Sequence, residues 1–117
     1  MKTHTMTLDS PFFEQIVKNE KKYEIRIFDE KRKKLLLGDN ILFKKRDSDE
    51  TIEKKISKLM LFDNFRETLE SMKDFREAVP SIETIEEGVQ LYESIPHKLG
   101  NYKKASAELG IVLIKLE

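Results

Sequence analysis

The sequence predicts an α+β fold in which a closed or nearly closed mixed sheet holds helices inserted between its strands. Three observations carry this expectation. Residues 3–8 alternate polar and apolar side chains, the period of a half-buried strand. Gly110 to Leu116 is rich in Ile, Val and Leu and reads as a buried strand at the other end of the chain. Between them, from Asn64 to Pro96, the pattern is mainly helical. A last strand that pairs back near the first would close about five to six strands into a barrel. At 117 residues the chain is large enough for one core and too short for two, so residues 1–117 are read as a single domain.

The elements follow in order. Thr3, Thr5 and Thr7 alternate with His4, Met6 and Leu8 in the first strand. Ser10 suits the N-cap of a helix and Pro11 its first position, with Phe12, Phe13, Ile16 and Val17 as the apolar stripe and an end near Asn19. KKYEIRIF is the second strand, with Tyr23, Ile25 and Ile27 on one face and Glu24, Arg26 and Phe28 on the other. A basic connection, DEKRKK, leads to Leu35–Leu37, a short buried segment that closes on a Gly38-Asp39 turn. ILFKKR is a strand, DSDE a turn, and IEKKISKLMLF a long strand with Ile52, Ile56 and Met60 facing inward. Asn64 caps a helix that runs to about Met72. Pro80 divides the helical stretch from Lys73 to Pro96, and Thr84 and Glu87 have capping-box spacing.

Composition removes several classes of function. The absence of Cys excludes disulfides, thiolate zinc sites and cysteine nucleophiles. His4 and His97 are the only histidines and stand in no metal-binding spacing, so no metal site is expected, and His4 reads as structural or as a cleft-lining residue. No Gly-rich phosphate loop or nucleophile elbow is present, and the sequence calls for no cofactor. No apolar run is long enough to span a bilayer and the N-terminus lacks a signal core, which makes a cytoplasmic protein without a membrane partner the default expectation. Net charge is zero, which argues against nucleic-acid binding by overall attraction. Yet residues 18–46 carry 11 Lys/Arg against 5 Asp/Glu, and residues 47–108 carry 9 against 14. If those halves stay apart in space they steer anions to the first; if they interleave they cancel.

The triplet Lys21-x-x-Glu24-x-Arg26 is the strongest candidate site. Glu24 and Arg26 stand side by side on one face of a strand, with Lys21 just before them on the incoming loop. Two cations are thereby offered to a phosphate or carbonyl oxygen, and one carboxylate can accept hydrogen bonds or move protons. The plain alternative is a surface ion pair on a solvent-facing strand, worth under about 1 kcal/mol. Tyr23 and Tyr102 either stack on bases, at about 1–3 kcal/mol each, or cover the rim of the core. Lys44, Lys45 and Arg46 either contact phosphates or form a solvated strand end.

The order and spacing of THTMTL, SPFFEQIVKNEK, KKYEIR, DEKRKKLLLGDNILF and YKKASAELGIVLIKL resemble the ASCH domain family. The likeness covers most of the chain outside the middle helical region, and the DEKR run followed by Gly-Asp and an apolar strand is its most specific part. It implies a PUA-like mixed β-barrel with a helix after the first strand, helices before the last, a cleft beside the first helix, and a role in RNA metabolism. Some relatives in the family are small amidohydrolases acting on acetylated cytidine nucleosides. Their pattern places a Lys, then a Thr three residues on, at this strand, with a Glu downstream. Lys21 matches that Lys, Glu24 stands in place of the Thr, and Glu70 in RETLESM is a loose match to the downstream Glu.

Two functions of different class follow. In the first, an RNA- or nucleotide-like ligand sits in a cationic cleft. Lys21, Lys22 and Arg26 hold phosphate or a base carbonyl, Glu24 orients them and reads an amino group, and Tyr23 or Tyr102 stacks. In the second, the chain is a metal-independent hydrolase of a modified nucleoside or of RNA. There Lys21 activates water or stabilises an oxyanion, and Glu24 or Glu70 carries the proton. An interaction domain with no small ligand is the third reading.

Overall fold

A computed structural model describes residues 1–117. Its main feature is a curled, half-barrel sheet of five strands in the order β1-β3-β4-β7-β2, formed by β1 (Thr3–Leu8), β2 (Tyr23–Ile27), β3 (Asn40–Lys45), β4 (Thr51–Phe62) and β7 (Ile111–Leu116). β1 pairs parallel to β3, and every other pairing is antiparallel. Helix α1 (Phe12–Val17) follows β1, while α2 (Phe65–Glu70), α3 (Ile85–Glu93) and α4 (Tyr102–Leu109) lie between β4 and β7. A two-residue ribbon, β5 (Pro96–His97) with β6 (Gly100–Asn101), joins α3 to α4. No helix is long and apolar enough to cross a membrane.

The sheet separates two cores. On the concave face, Met6, Leu8, Ile41, Phe43, Ile56, Val112 and Ile114 pack around Phe13 and Ile16 of α1. On the convex face, Ile25, Ile27, Ile111 and Leu113 meet Phe65 and Leu69 of α2, Val89 and Tyr92 of α3, and Ala105 of α4. β7 thus alternates apolar residues to both sides, which is the composition of a strand covered on both faces. That explains why the last strand does not pair back near the first. It lies between β4 and β2, in the interior of the sheet, and β1 is left as an edge.

Other departures from expectation have local causes. A bulge between Ile56 and Lys58 shifts the parity of β4, so Ile52 and Ile56 face the concave core while Met60 packs on the convex one. Of the three leucines before the turn only Leu35 is buried; Leu36 and Leu37 are 64% and 65% exposed. Gly38 makes the turn at φ 87°, and the Asp39 carboxylate accepts from the backbone N–H of Leu36 and Lys2 and pairs with His4 Nε2 at 2.8 Å. His4 therefore has a structural role. Helix α1 starts at Phe12 with Pro11 one position before it, and the Ser10 hydroxyl donates to Glu14 instead of capping the backbone.

Asn64 and Thr84 cap α2 and α3 as their positions suggest, accepting from Glu67 N–H at 2.8 Å and Glu87 N–H at 3.2 Å. Asp74 caps a short 3₁₀ turn at Phe75–Glu77. α4 is absent from the sequence expectation, although Asn101 caps it by accepting from Lys104 N–H at 2.9 Å. Replacing Asn101 by Ala removes that bond and lowers stability by about 1 kcal/mol, read as a shift of the urea midpoint with unchanged m-value; an unchanged midpoint would mean that the cap contributes nothing.

Candidate functional site

β1 and β2 are the two edges of the half-barrel, and no backbone ladder joins them. The seam between them is bridged by a side chain: Arg26 Nη2 donates to the carbonyl of Thr7 at 3.0 Å. A cleft of about 350 Å³ opens along this seam. Its walls come from the end of β1 (Thr7, Leu8, Asp9), Phe12 of α1, Glu24, Ile25 and Arg26 of β2, Arg46 after β3, and Leu91, Tyr92, Ile95, Pro96 and Tyr102 from the α3–α4 region.

The strand register explains how Glu24 and Arg26 reach it. Glu24 is opposite Ile114 and Arg26 opposite Val112, and those partners belong to the concave core. The pair therefore faces into the half-barrel, and the solvent-facing alternative does not hold. Glu24 is 3% exposed and forms the centre of a cluster. Its Oε2 accepts from Arg26 Nε at 2.9 Å, and its Oε1 accepts from the Ile25 N–H at 3.1 Å and lies 3.2 Å from Lys21 Nζ. Lys21 is 1% exposed. Its ammonium donates to the carbonyls of Tyr23 at 2.7 Å and Ala78 at 2.5 Å and forms an ion pair with Glu24. Lys21 is thus a buried support behind the cleft and forms none of its wall.

Electrostatics follow from this burial. Desolvation pushes the Lys21 ammonium below the ordinary lysine range, opposed by Glu24. Desolvation also opposes ionisation of Glu24, but the combined cations of Lys21 and Arg26 outweigh it and hold the carboxyl below the ordinary range. Burial disfavours the Arg26 cation too, and Glu24 more than offsets this. Glu24 is ionised in the folded protein at pH values where the unfolded chain begins to bind a proton. Its contribution to stability is complete above the ordinary carboxyl value of 4.5 and is lost as pH falls through the lower folded value. Urea unfolding followed from about pH 6 down to about pH 3 shows this loss, and the acid slope is flatter in Glu24→Gln. Equal slopes in the two proteins would contradict it.

Two tyrosines complete the cleft. Tyr92 and Tyr102 both stack on Phe65: its ring lies 5.0 Å from the Tyr92 ring and 6.1 Å from the Tyr102 ring, nearly parallel to each. His97 meets Tyr102 edge-on at 5.9 Å. Packing holds the rings, and neither hydroxyl has a hydrogen-bond partner in the protein. Burial, reinforced by the Glu24 carboxylate, raises the Tyr92 phenol well above its ordinary value and keeps it a neutral donor.

The remaining candidates lie elsewhere. Tyr23 packs against the convex core and does not line the cleft. Lys22 is exposed and pairs with Glu77 at 3.4 Å. Lys44 is exposed on β3, and Lys45 bridges Glu14 at 2.8 Å and Glu50 at 3.3 Å. The Lys45 hydrogen bond is the main reason that the Glu14 carboxyl is lowered to about 2. Arg46 does reach the cleft mouth, where it pairs with Asp9 at 2.5 Å. Glu70 is exposed at the end of α2, lines no part of the cleft and makes no contact with Lys21. The structure adds Thr7, Asp9, Phe12, Leu91, Tyr92 and Ile95. Only Tyr92 carried a signal in the sequence, as an aromatic with a hydroxyl on the apolar face of a capped helix.

A curled sheet with helices on its convex face, α1 in its concavity and a polar cluster at an open seam defines a PUA-like half-barrel. The chain belongs to the ASCH domain family, whose model matches residues 6–117. It is similar over 100% of its length to 98% of the hypothetical protein PH0355, with TM-score 0.81 and 29% identity. It is also similar over 98% of its length to 96% of protein PF0455 from Pyrococcus furiosus, with TM-score 0.73 and 29% identity. No curated protein matches.

Proposed function

We propose that this ASCH domain binds an RNA- or nucleotide-like ligand with a base seated in the seam cleft. The observation that supports this most is the set of hydrogen-bond groups left over on its walls. Arg26 uses Nε on Glu24 and Nη2 on Thr7, while Nη1 has no protein partner. The hydroxyls of Tyr92 and Tyr102 are likewise unpartnered, and all three residues line a cleft with apolar walls from Leu8, Phe12, Leu91 and Ile95. Its volume of about 350 Å³ falls in the range of about 300–1,000 Å³ usual for small-molecule sites. In this reading Arg26 donates to a ring carbonyl or nitrogen, Glu24 fixes Arg26, and Lys21 fixes Glu24. Arg46 at the mouth is the cation nearest a sugar-phosphate chain leaving the cleft.

The hydrolase reading has less support from the geometry. A Lys that is 1% exposed, donates to two backbone carbonyls and pairs with Glu24 is not placed to activate water or meet an oxyanion, and Glu70 is not beside it. The deciding experiment titrates labelled single-stranded RNA and nucleosides into wild type and a Tyr92→Phe/Tyr102→Phe variant, which keeps the ring packing. Binding by wild type, weakened several-fold in the variant, with no turnover of RNA or of acetylated cytidine, is expected. Absence of binding would refute the reading, and turnover would replace it with the hydrolase.

A further inference from the structure

We infer that the open backbone edge of β1 pairs antiparallel with the β1 of a second copy of this chain and so continues the sheet across a two-fold axis. Each edge strand leaves over a definite set of backbone groups. In an extended strand the N–H and C=O of one residue point to the same side, and successive residues alternate. The carbonyls of Lys2 and Leu8 accept from the N–H groups of Asn40 and Arg46, each at 2.9 Å. The even-numbered residues of β1 therefore face β3, and Thr3, Thr5 and Thr7 face outward. The bond from Arg26 agrees, since the carbonyl it takes is that of Thr7.

The two edges differ in how they are covered. On β2 the Lys22 carbonyl and the Phe28 N–H bond to Leu116 and Gly110, so Tyr23, Ile25 and Ile27 face outward. There Lys21 donates to the Tyr23 carbonyl at 2.7 Å, and the Glu24 carboxylate accepts from the Ile25 N–H at 3.1 Å. Side chains thus occupy positions that a further strand needs, which blunts that edge. β1 has no such cover at Thr3 and Thr5. No hydrogen bond takes their outward N–H and C=O groups, both residues are exposed, and neither lines the cleft. The strand also holds no proline, lysine or bulge of the kind that protects an edge.

A second copy fits this edge because the edge is self-complementary. Thr7 is already engaged by Arg26, so the register that uses only free groups is centred on His4, with Thr3 of each copy opposite Thr5 of the other. Each such pair exchanges both backbone hydrogen bonds. It also sets threonine against threonine on the exposed face, a favourable cross-strand pair. Lys2 of one copy falls opposite Met6 of the other, so the two lysines do not meet. The Arg26 link and the cleft beside it persist, because Thr7 is not used. One strand against one strand buries less than the roughly 1,200–2,000 Å² of a stable interface, so the dimer is reversible and forms at protein concentrations on the order of hundreds of micromolar.

Sedimentation equilibrium of the full chain, from micromolar to millimolar concentration, tests this in wild type and Thr5→Pro. The substitution removes an N–H that has no partner in the monomer, and proline is tolerated on an edge strand where its N–H side faces solvent. A monomer–dimer equilibrium in wild type and a monomer in Thr5→Pro are expected. Should proline disturb the strand, amide hydrogen exchange of wild type reads the same contact. The Thr3 and Thr5 N–H groups then exchange at least about twofold more slowly at millimolar than at micromolar protein, while that of Ile27, on the other edge, is unchanged. A wild-type monomer at every concentration, a dimer of undiminished strength in folded Thr5→Pro, or Thr3 and Thr5 exchange that ignores concentration overturns the inference.

Discussion

Glu24→Ala lowers the unfolding free energy by about 3–5 kcal/mol, the range for removing one partner from a buried charge cluster. Two hydrogen bonds and the Lys21 ion pair converge on this carboxylate, and all are lost together. Lys21 suffers most, because its ammonium is 1% exposed and is left with two carbonyls and no counter-charge. Lys21→Met is milder, at about 1–3 kcal/mol. The methionine fills much of the lysine stem's space, and Glu24 keeps Arg26 and the Ile25 N–H, although the carbonyls of Tyr23 and Ala78 lose a donor. Urea unfolding of the three proteins at neutral pH checks both the size and the order of these losses. If Glu24→Ala unfolded within about 1 kcal/mol of wild type, the cluster would be no stronger than a surface pair.

Arg26→Ala weakens ligand binding by about 10- to 100-fold, equivalent to about 1.4–2.7 kcal/mol. Arg26→Lys recovers little of it. A lysine carries the charge but cannot hold Glu24, the Thr7 carbonyl and a ligand in one plane, as the planar fork of arginine can. The two variants separate charge from geometry: a purely electrostatic site would be restored by lysine. Both also loosen the seam, since the Arg26–Thr7 bond is the side-chain link between the edge strands. A titration of single-stranded RNA against wild type and both variants, with folding verified by circular dichroism, measures the effect. Wild-type affinity in Arg26→Lys would contradict the fork geometry.

Much of this arrangement was legible in the sequence, through strand periodicity and helix caps. The period of two places Glu24 and Arg26 on one face and Ile25 on the other, and the register with β7 keeps them there. Asn64 and Thr84 announce their helices because a short polar side chain before an apolar run has one favourable use. What the sequence did not reveal depends on long-range pairing. Whether the Glu24 face is wet or dry is decided by which strand lies beside β2, and that strand is almost ninety residues away. The burial of Lys21 depends on the carbonyl of Ala78, in a turn with no recognisable period. The bulge at Ser57 carries no composition signal, and it alone moves Met60 to the opposite core. The cleft itself is assembled from five separate parts of the chain, so its aromatic members, Phe12, Tyr92 and Tyr102, could not be grouped by spacing.

The basic first half and the acidic second half also meet differently in space than along the chain. Lys22 pairs with Glu77, and Arg26 is neutralised within its own strand by Glu24. Lys45 takes Glu14 and Glu50, and Arg46 takes Asp9. Most of the candidate cations thus have local partners, which weakens the field they could offer to phosphates.

The most direct test of the seam cleft as a base site is an NMR titration of the ¹⁵N-labelled protein with uridine and with a short single-stranded RNA. The largest shifts are expected on the backbone of Thr7, Leu8, Ile25, Arg26, Tyr92 and Tyr102 and on the Arg26 side-chain Nε–H, with both ligands perturbing the same set. Shifts centred instead on the exposed lysines of residues 31–34 and on Lys44, with the seam unperturbed, would contradict it.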